Sequence, residues 1–294
     1  MNINQSLLNK IKKFGLFAAI PVFVFVTVIM IPFILGIYMT ITNSTGTNIS
    51  TEFVGLTNYI DAFKDEVFWD SLLLTTKYTF WSLILTNTIA FTLALLVTSG
   101  FKGQNFFRMG FFTPNLIGGV ILGFIWQFIF TRILVYAGDS MGIEWLSNSW
   151  LADPKMALWA LVIVGVWQNS GYMMLLYIAG LTGIPKSLLE AASLDGANNR
   201  QILSKIKIPM MIPAFTTSIF LTLQRSFMVY DTNLSLTKGG PYRSTEMISM
   251  HVYNEAFLYQ NYGTGQAKAI ILFLIVAAIA LTQVGIMKRK EVEA

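Results

Sequence analysis

Ten side chains carry the chemistry this sequence can offer: Trp126, Gln127, Trp167, Gln168, Asn169, Tyr172, Gln224, Arg225, Ser226 and Tyr230. Each is a polar or aromatic group set in or at the end of an apolar stretch. Gln168, Asn169 and Tyr172 fall within about one and a half helical turns, so part of this cluster can face one cavity. Arg225 lies about 18 Å along a helix from Pro213, at about 1.5 Å per residue. A charge that deep in an apolar run faces the protein interior or a water-filled cavity. It could donate to a ligand or attract an acidic one. It could equally pair with Asp231 or Glu246, or snorkel outward. Covalent chemistry is poorly provided for. The chain has no cysteine and a single histidine, His251, so thiol catalysis, Cys-based zinc sites and His clusters are excluded. Lys238-Gly239-Gly240-Pro241 is Gly-rich but lacks the spacing of a phosphate-binding loop.

The elements that must position these groups are apolar helices. Of 294 residues, 54% are hydrophobic and 12% charged, about half the charge of a soluble domain. A spanning helix needs about 20 apolar residues. Six runs qualify: Phe14–Ile41, Tyr78–Phe101, Met109–Thr131, Met156–Pro185, Ile208–Gln224 with an extension past Arg225, and Ala269–Met287. The first, preceded by Lys10, Lys12 and Lys13, is too long for a secretory signal and is expected to be retained. The fold class expected is an all-α membrane protein with six transmembrane helices. Two parts are expected: residues 1–71, with the N-terminal segment, first helix and an outer loop, and residues 72–294, with five helices.

Charge sorts by side. Segments 1–13, 99–109, 182–211 and 288–294 hold twelve Lys/Arg and four acids; the alternate loops 42–71, 132–155 and 231–267 hold five and eleven. Basic residues are retained on the cytoplasmic side, so both termini are expected there. The net charge of +5 reflects this bias and does not point to nucleic acid. Lys77 and Lys268 are expected at outer helix ends, snorkelling to the headgroups. Trp150, Trp159 and Tyr78 are expected to be interfacial anchors, and His251 an ordinary outer-loop residue.

The loop 182–211 is the most structured in pattern. Ser187 and Glu190 have capping-box spacing, so a short helix is expected to start there. Gly196 follows Asp195 where a helix end wants positive φ. A second helix is expected near Asn198, with Gln201 three residues on, and Pro209 and Pro213 should turn the chain into the fifth span. Ala191 and Ala192 permit close approach by a partner, and Leu188, Leu189 and Leu194 supply apolar contact. The same pattern would suit an amphipathic helix resting on the bilayer.

The order Glu190-Ala191-Ala192, three residues, Gly196, nine residues, Ile206, one residue, Ile208-Pro209 resembles the EAA loop of binding-protein-dependent ABC importer permeases. Ile208 stands where Leu is usual. Asp195-Gly196-Ala197 has the form found in carbohydrate importers. Gly55-Leu56-Thr57-Asn58-Tyr59, Trp150-Leu151-Ala152-Asp153-Pro154 and Leu236-Thr237-Lys238-Gly239-Gly240-Pro241 are similar to stretches of the first permease of maltose and glycerol-3-phosphate-like systems. The resemblance covers roughly residues 15–290. It implies a type I ABC importer permease fold in a bacterial or archaeal cell membrane. It implies as partners a second homologous permease, two ATPase subunits, an extracellular solute-binding protein and a sugar. It implies no cofactor on this chain, with ATP and Mg used by the ATPase. Glu190, Ala191, Ala192, Asp195, Gly196, Ile206 and Pro209 are then the ATPase-coupling residues; for Glu190 the alternative is a local cap. Trp126, Gln127, Gln168, Asn169, Tyr172, Arg225, Ser226 and Tyr230 are the substrate-path candidates. Tyr172 matches a sugar-contacting Tyr of the maltose permease pattern, whereas Asn169 replaces a Gly and Ser226 an Asn there.

The expected function is thus a permease subunit for a sugar or oligosaccharide, coupled through residues 187–209, and not an enzyme. An ion-gradient-driven secondary transporter is the alternative, but no Asp or Glu lies in the six runs to couple the ion. An ABC permease for a non-sugar solute is another. A membrane-embedded enzyme ranks last, for want of paired carboxylates or a Ser/His/Asp set.

Overall fold

Alternating helical runs and Pro/Gly breaks produce an almost purely helical chain. The computed structural model describes residues 12, 14–15, 17–45, 52–100 and 102–291. Lys10 and Lys13 of the basic flank lie outside the described residues. Among the described residues the only extended pairing is a lone bridge between Thr42 and Phe53.

In chain order the main elements are α1 (Ala19–Thr40), α2 (Thr57–Lys64), α3 (Glu66–Val97), α4 (Gln104–Phe112), α5 (Gly119–Met141), α6 (Pro154–Thr182), α7 (Lys186–Leu194), α8 (Asn199–Met210), α9 (Ile212–Phe227), α10 (Asp231–Leu236), α11 (Ile248–Tyr253) and α12 (Tyr262–Lys288). Helices α1, α3, α5, α6 and α12 are long and apolar enough to cross a membrane; α8 and α9 form a sixth candidate, bent by 66°. The fifth crossing is therefore not a straight span. Helix α9 has 16 residues, about 24 Å against a hydrocarbon core of about 30 Å. Pro209 and Pro213 flank its break at Met211, as the sequence leads one to expect.

The third run is displaced from its expected place. Pro114 lies in a short 3-10 turn, Thr113–Leu116, that stops α4. The crossing helix restarts at Gly119 and ends only at Gly142, whose φ of 67° is left-handed. It thus carries Arg132 and Asp139, both expected in a loop, into its last turns.

Contacts divide the chain into two units: Glu66–His251 with Leu272–Ala294, and Met1–Asp65 with Val252–Ile271. In the larger unit, α3 and α6 pack along their length. Between Phe68 and Val97 at its two ends, the buried face of α3 is small or hydroxyl-bearing: Ser71, Thr75, Tyr78, Thr79, Ser82, Thr86, Ala90 and Ala94. Its exposed face carries Leu73, Phe80, Trp81, Ile84, Ile89 and Leu96. Lipid offers no reason to hide large apolar groups, so small residues take the interior and let backbones approach. Helix α6 begins cleanly, with Pro154 at its first turn and the Asp153 carboxylate accepting from the Lys155 and Met156 amides. A Cβ at Gly171 would strike the Phe111 carbonyl, and one at Gly123 would strike the Ser235 side chain. Tyr78 is not an interfacial anchor: only 3% exposed, it sits in the core between α3 and α6.

In the smaller unit Asn58 ties loop to helix. Its amide donates to the Thr40 and Thr42 carbonyls at 2.9 and 3.0 Å and accepts from Thr264 at 3.2 Å. Lys268 does not snorkel. It is 2% exposed, and its ammonium donates to Asp65 at 2.5 Å and Glu255 at 2.7 Å. Two carboxylates at one buried ammonium meet its need for charge and hydrogen bonds without water.

Candidate functional site

A polar cavity of about 420 Å³ opens inside the larger unit, lined by Gln168 and Asn169 of α6, Gln224, Arg225 and Ser226 of α9, and the following Met228–Thr232. Tyr78, Asn115, Gly119 and Gly165 complete it. Five of the eight substrate-path candidates therefore converge: Gln168, Asn169, Arg225, Ser226 and Tyr230.

Arg225 is held from two sides. One guanidinium nitrogen donates to Asn169 Oδ1 at 2.8 Å. The guanidinium carbon lies 4.5 Å from the centre of the Tyr172 ring, a cation–π contact. Asn169 in turn donates to the Gly165 carbonyl at 2.8 Å, which fixes its oxygen toward Arg225. Among the described residues, neither Asp231 nor Glu246 forms an ion pair with Arg225. Glu246 is engaged elsewhere, and Asp231 lines the same cavity. Gln168 donates to the Ile117 carbonyl at 3.0 Å, covering a backbone oxygen exposed by the break after α4.

The other candidates are placed differently. Tyr172 acts through its ring on Arg225 and does not line the cavity. Trp126 packs on Phe130 and Trp167, with centroids 5.5 Å away in both cases. Gln127, the next residue, does not line the cavity either. Asn115, a polar residue within the run Met109–Thr131 absent from the sequence candidates, joins the lining, as does Asp231, whose sequence expectation is only an ion pair with Arg225.

Beyond α10 lies a second polar cluster. Arg243 donates to Glu246 at 2.5 and 3.1 Å, and His251 Nδ1–H donates to Glu246 at 3.2 Å. His251 is thus buried and bonded, not an ordinary loop residue; the two donors offset the cost of burying the carboxylate. Burial disfavours the charged form of Glu246. The bonds from His251 and Arg243, with the Arg243 charge, outweigh that and hold its pKa at about 2.

The loop 182–211 forms two short helices. Helix α7 starts at Lys186 after Pro185 and has no side-chain cap. The Ser187–Glu190 capping box is therefore absent: the N-cap position falls on Pro185, two residues before Ser187. Glu190 and Ala191 are exposed, and Ala192 is half-buried. Leu194 is 89% exposed. Gly196 has φ 79° and lets the Ala197 amide donate back to the Ala192 carbonyl at 2.9 Å. The second cap is present: Asn198 accepts from the Gln201 amide at 2.9 Å, and Gln201 accepts from the Asn198 amide at 2.8 Å. Asp195, Gly196, Lys205 and Ile206 line a recess of about 220 Å³. Pro209 sits just before the bend into α9, so the loop and the Arg225 cavity lie at opposite ends of one short helix.

Residues 87–290, which hold the loop and all of the cavity lining but Tyr78, match the binding-protein-dependent transport system inner membrane component. The chain is 43% identical over 280 residues, 95% of each chain, to the probable starch degradation products transport system permease protein AmyD of Thermoanaerobacterium thermosulfurigenes. It is 30% identical over 276 residues, 94% of this chain and 95% of the relative, to the multiple sugar-binding transport system permease protein MsmF of Streptococcus mutans. Its fold resembles a chain of a bacterial ABC transporter involved in import of the acidic polysaccharide alginate, with TM-score 0.82 and 19% identity over 97% and 99% of the two chains. A looser likeness, TM-score 0.51 and 18% identity over 76% and 94%, is to the MetNI methionine ABC transporter. The chain belongs to the family of binding-protein-dependent transport system inner membrane components.

Proposed function

We propose that this chain is one permease half of an ATP-driven importer for a sugar or oligosaccharide. The match over residues 87–290 carries the reading, because that segment holds the exposed loop helices, the bent α8–α9 pair and most of the polar cavity together. On this reading Glu190, Ala191, Ala192, Asp195, Gly196, Ile206 and Pro209 form the surface on which a separate ATPase subunit docks. Nucleotide and Mg bind to that subunit. A second permease completes the path, and a solute-binding protein delivers substrate from outside. The charge bias favours cytoplasmic termini and a cytoplasmic 182–211 loop.

The cavity suits hydroxyl-rich solutes. Gln168, Gln224, Asn115 and Ser226 offer neutral donors and acceptors, and Arg225 and Asp231 offer one charge of each sign. Names of relatives support a starch-derived or mixed oligosaccharide. The test is reconstitution of the chain with candidate partner subunits in proteoliposomes, supplied with a loaded binding protein. ATP-dependent uptake of labelled maltotriose or a longer maltodextrin is expected. Uptake that ignores ATP and follows an imposed proton or sodium gradient would overturn the proposal.

A further inference from the structure

Between the loop and the cavity, three helices meet at a single amide. Asn87 of α3 uses all of its hydrogen-bonding capacity. Its oxygen accepts from Tyr177 of α6 and from Ser218 of α9, each at 2.7 Å. Its nitrogen donates to the Leu83 carbonyl at 2.8 Å and to Thr222 of α9 at 3.3 Å. Tyr177, Ser218 and Thr222 are buried. Ser218 and Thr222 lie one turn apart on one face of α9, and Thr222 itself donates to the Ser218 carbonyl at 2.8 Å.

The position matters because of what α9 connects. Its first residue follows the bend from the coupling segment, and its last turn carries Arg225 and Ser226 into the cavity. Any shift of α9 against α3 and α6 must therefore break or exchange bonds at Asn87. In lipid those groups find no water to replace the lost partners, so such an exchange proceeds between discrete bonded arrangements. Both hydroxyls are held at once in this arrangement, so α9 cannot shift without giving up or exchanging at least one of them.

We propose that Asn87 is a positioning residue for transport: it locks α9 to α3 and α6 in the arrangement seen here, and exchange of its bonds to Ser218 and Thr222 accompanies the switch that links ATP hydrolysis to opening of the cavity. This inference rests on the importer reading above. It concerns coupling, and no substrate contact is assigned to Asn87.

The test compares wild type with Asn87→Leu, Tyr177→Phe, Ser218→Ala and the exchanged pair Asn87→Ser/Ser218→Asn, all in the full reconstituted transporter with maltotriose as probe. The readout is ATP hydrolysed per sugar imported, together with hydrolysis in the absence of binding protein. Asn87→Leu is expected to raise ATP per sugar at least about threefold, and the exchanged pair to recover at least about half of that loss. A purely structural role would lower the amount of assembled complex and leave this ratio unchanged. Should Asn87→Leu fail to assemble, Tyr177→Phe and Ser218→Ala each remove one bond and should each raise the ratio. An unchanged ratio in assembled variants overturns the proposal. A wild-type complex that neither hydrolyses ATP nor imports maltotriose counts against the importer reading instead.

Discussion

Arg225 owes its orientation to two neighbours of different kinds. Asn169 gives the guanidinium a directional acceptor, and Tyr172 gives it a flat face. Lysine can satisfy the first but uses the second less well, because an ammonium is a compact, strongly hydrated charge that cannot stack as a planar guanidinium does. Arg225→Lys and Arg225→Gln should both raise the KM for uptake, by about tenfold, the equivalent of about 1.4 kcal/mol. Unchanged affinity and selectivity in Arg225→Gln would assign the residue to structure alone. Glu246 makes a second prediction at this scale. Its pKa in the fold, about 2, lies below the ordinary 4.5, so its contribution to stability is complete above pH 4.5 and is lost as pH falls through 2. Glu246→Gln should lower the Tm of the detergent-purified chain by a few degrees at neutral pH, at about 2–4 °C per kcal/mol. The gap to wild type should close between pH 4.5 and pH 2; a gap that persists at pH 2 would contradict this account.

Helices here pack through what they lack. Gly171 lets α6 approach the Phe111 backbone, and Gly196 turns the chain between the two loop helices at φ 79°. Gly171→Val should sharply reduce folded protein in the membrane, measured by fluorescence-detected size exclusion. Gly196→Pro and Ala192→Trp should leave that amount intact and abolish ATP-driven uptake. Helix identity was readable from the sequence wherever uncharged length decided it, as in α1, α6 and α12. It was misread where backbone chemistry intervened. Pro114 moved the third crossing by about ten residues, and Pro185 displaced the expected cap at Ser187. The site was legible where polar residues stood out against apolar runs, as Asn169 and Arg225 did. It was hidden where partners come from distant sequence: nothing near Asn87 announces Tyr177 or Ser218, and nothing near Lys268 announces Asp65.

At the scale of the whole molecule, charge has two uses. Most of it lies outside the crossing helices, with basic residues concentrated in alternate connecting segments; a little is buried in compensated groups. The sorting predicts accessibility. In this cysteine-free chain, a cysteine replacing Tyr242, which is 94% exposed, should react with an impermeant maleimide in intact cells. One replacing Ser204 should react only after permeabilisation. The reverse pattern would invert the orientation. Burial predicts fragility: Lys268→Met leaves Asp65 and Glu255 facing each other and should cost about 3 kcal/mol or more, with much of the loss recovered when both carboxylates are also replaced by amides. The bend at Met211 has a mechanical consequence as well. With its 16 residues, α9 is a rod about 24 Å long. Tilting such a rod by about 5° about its loop end carries the far tip about 2 Å. That stroke approaches the spacing between neighbouring hydrogen-bond partners, so a small rocking at the loop is leverage enough to change which groups line the cavity.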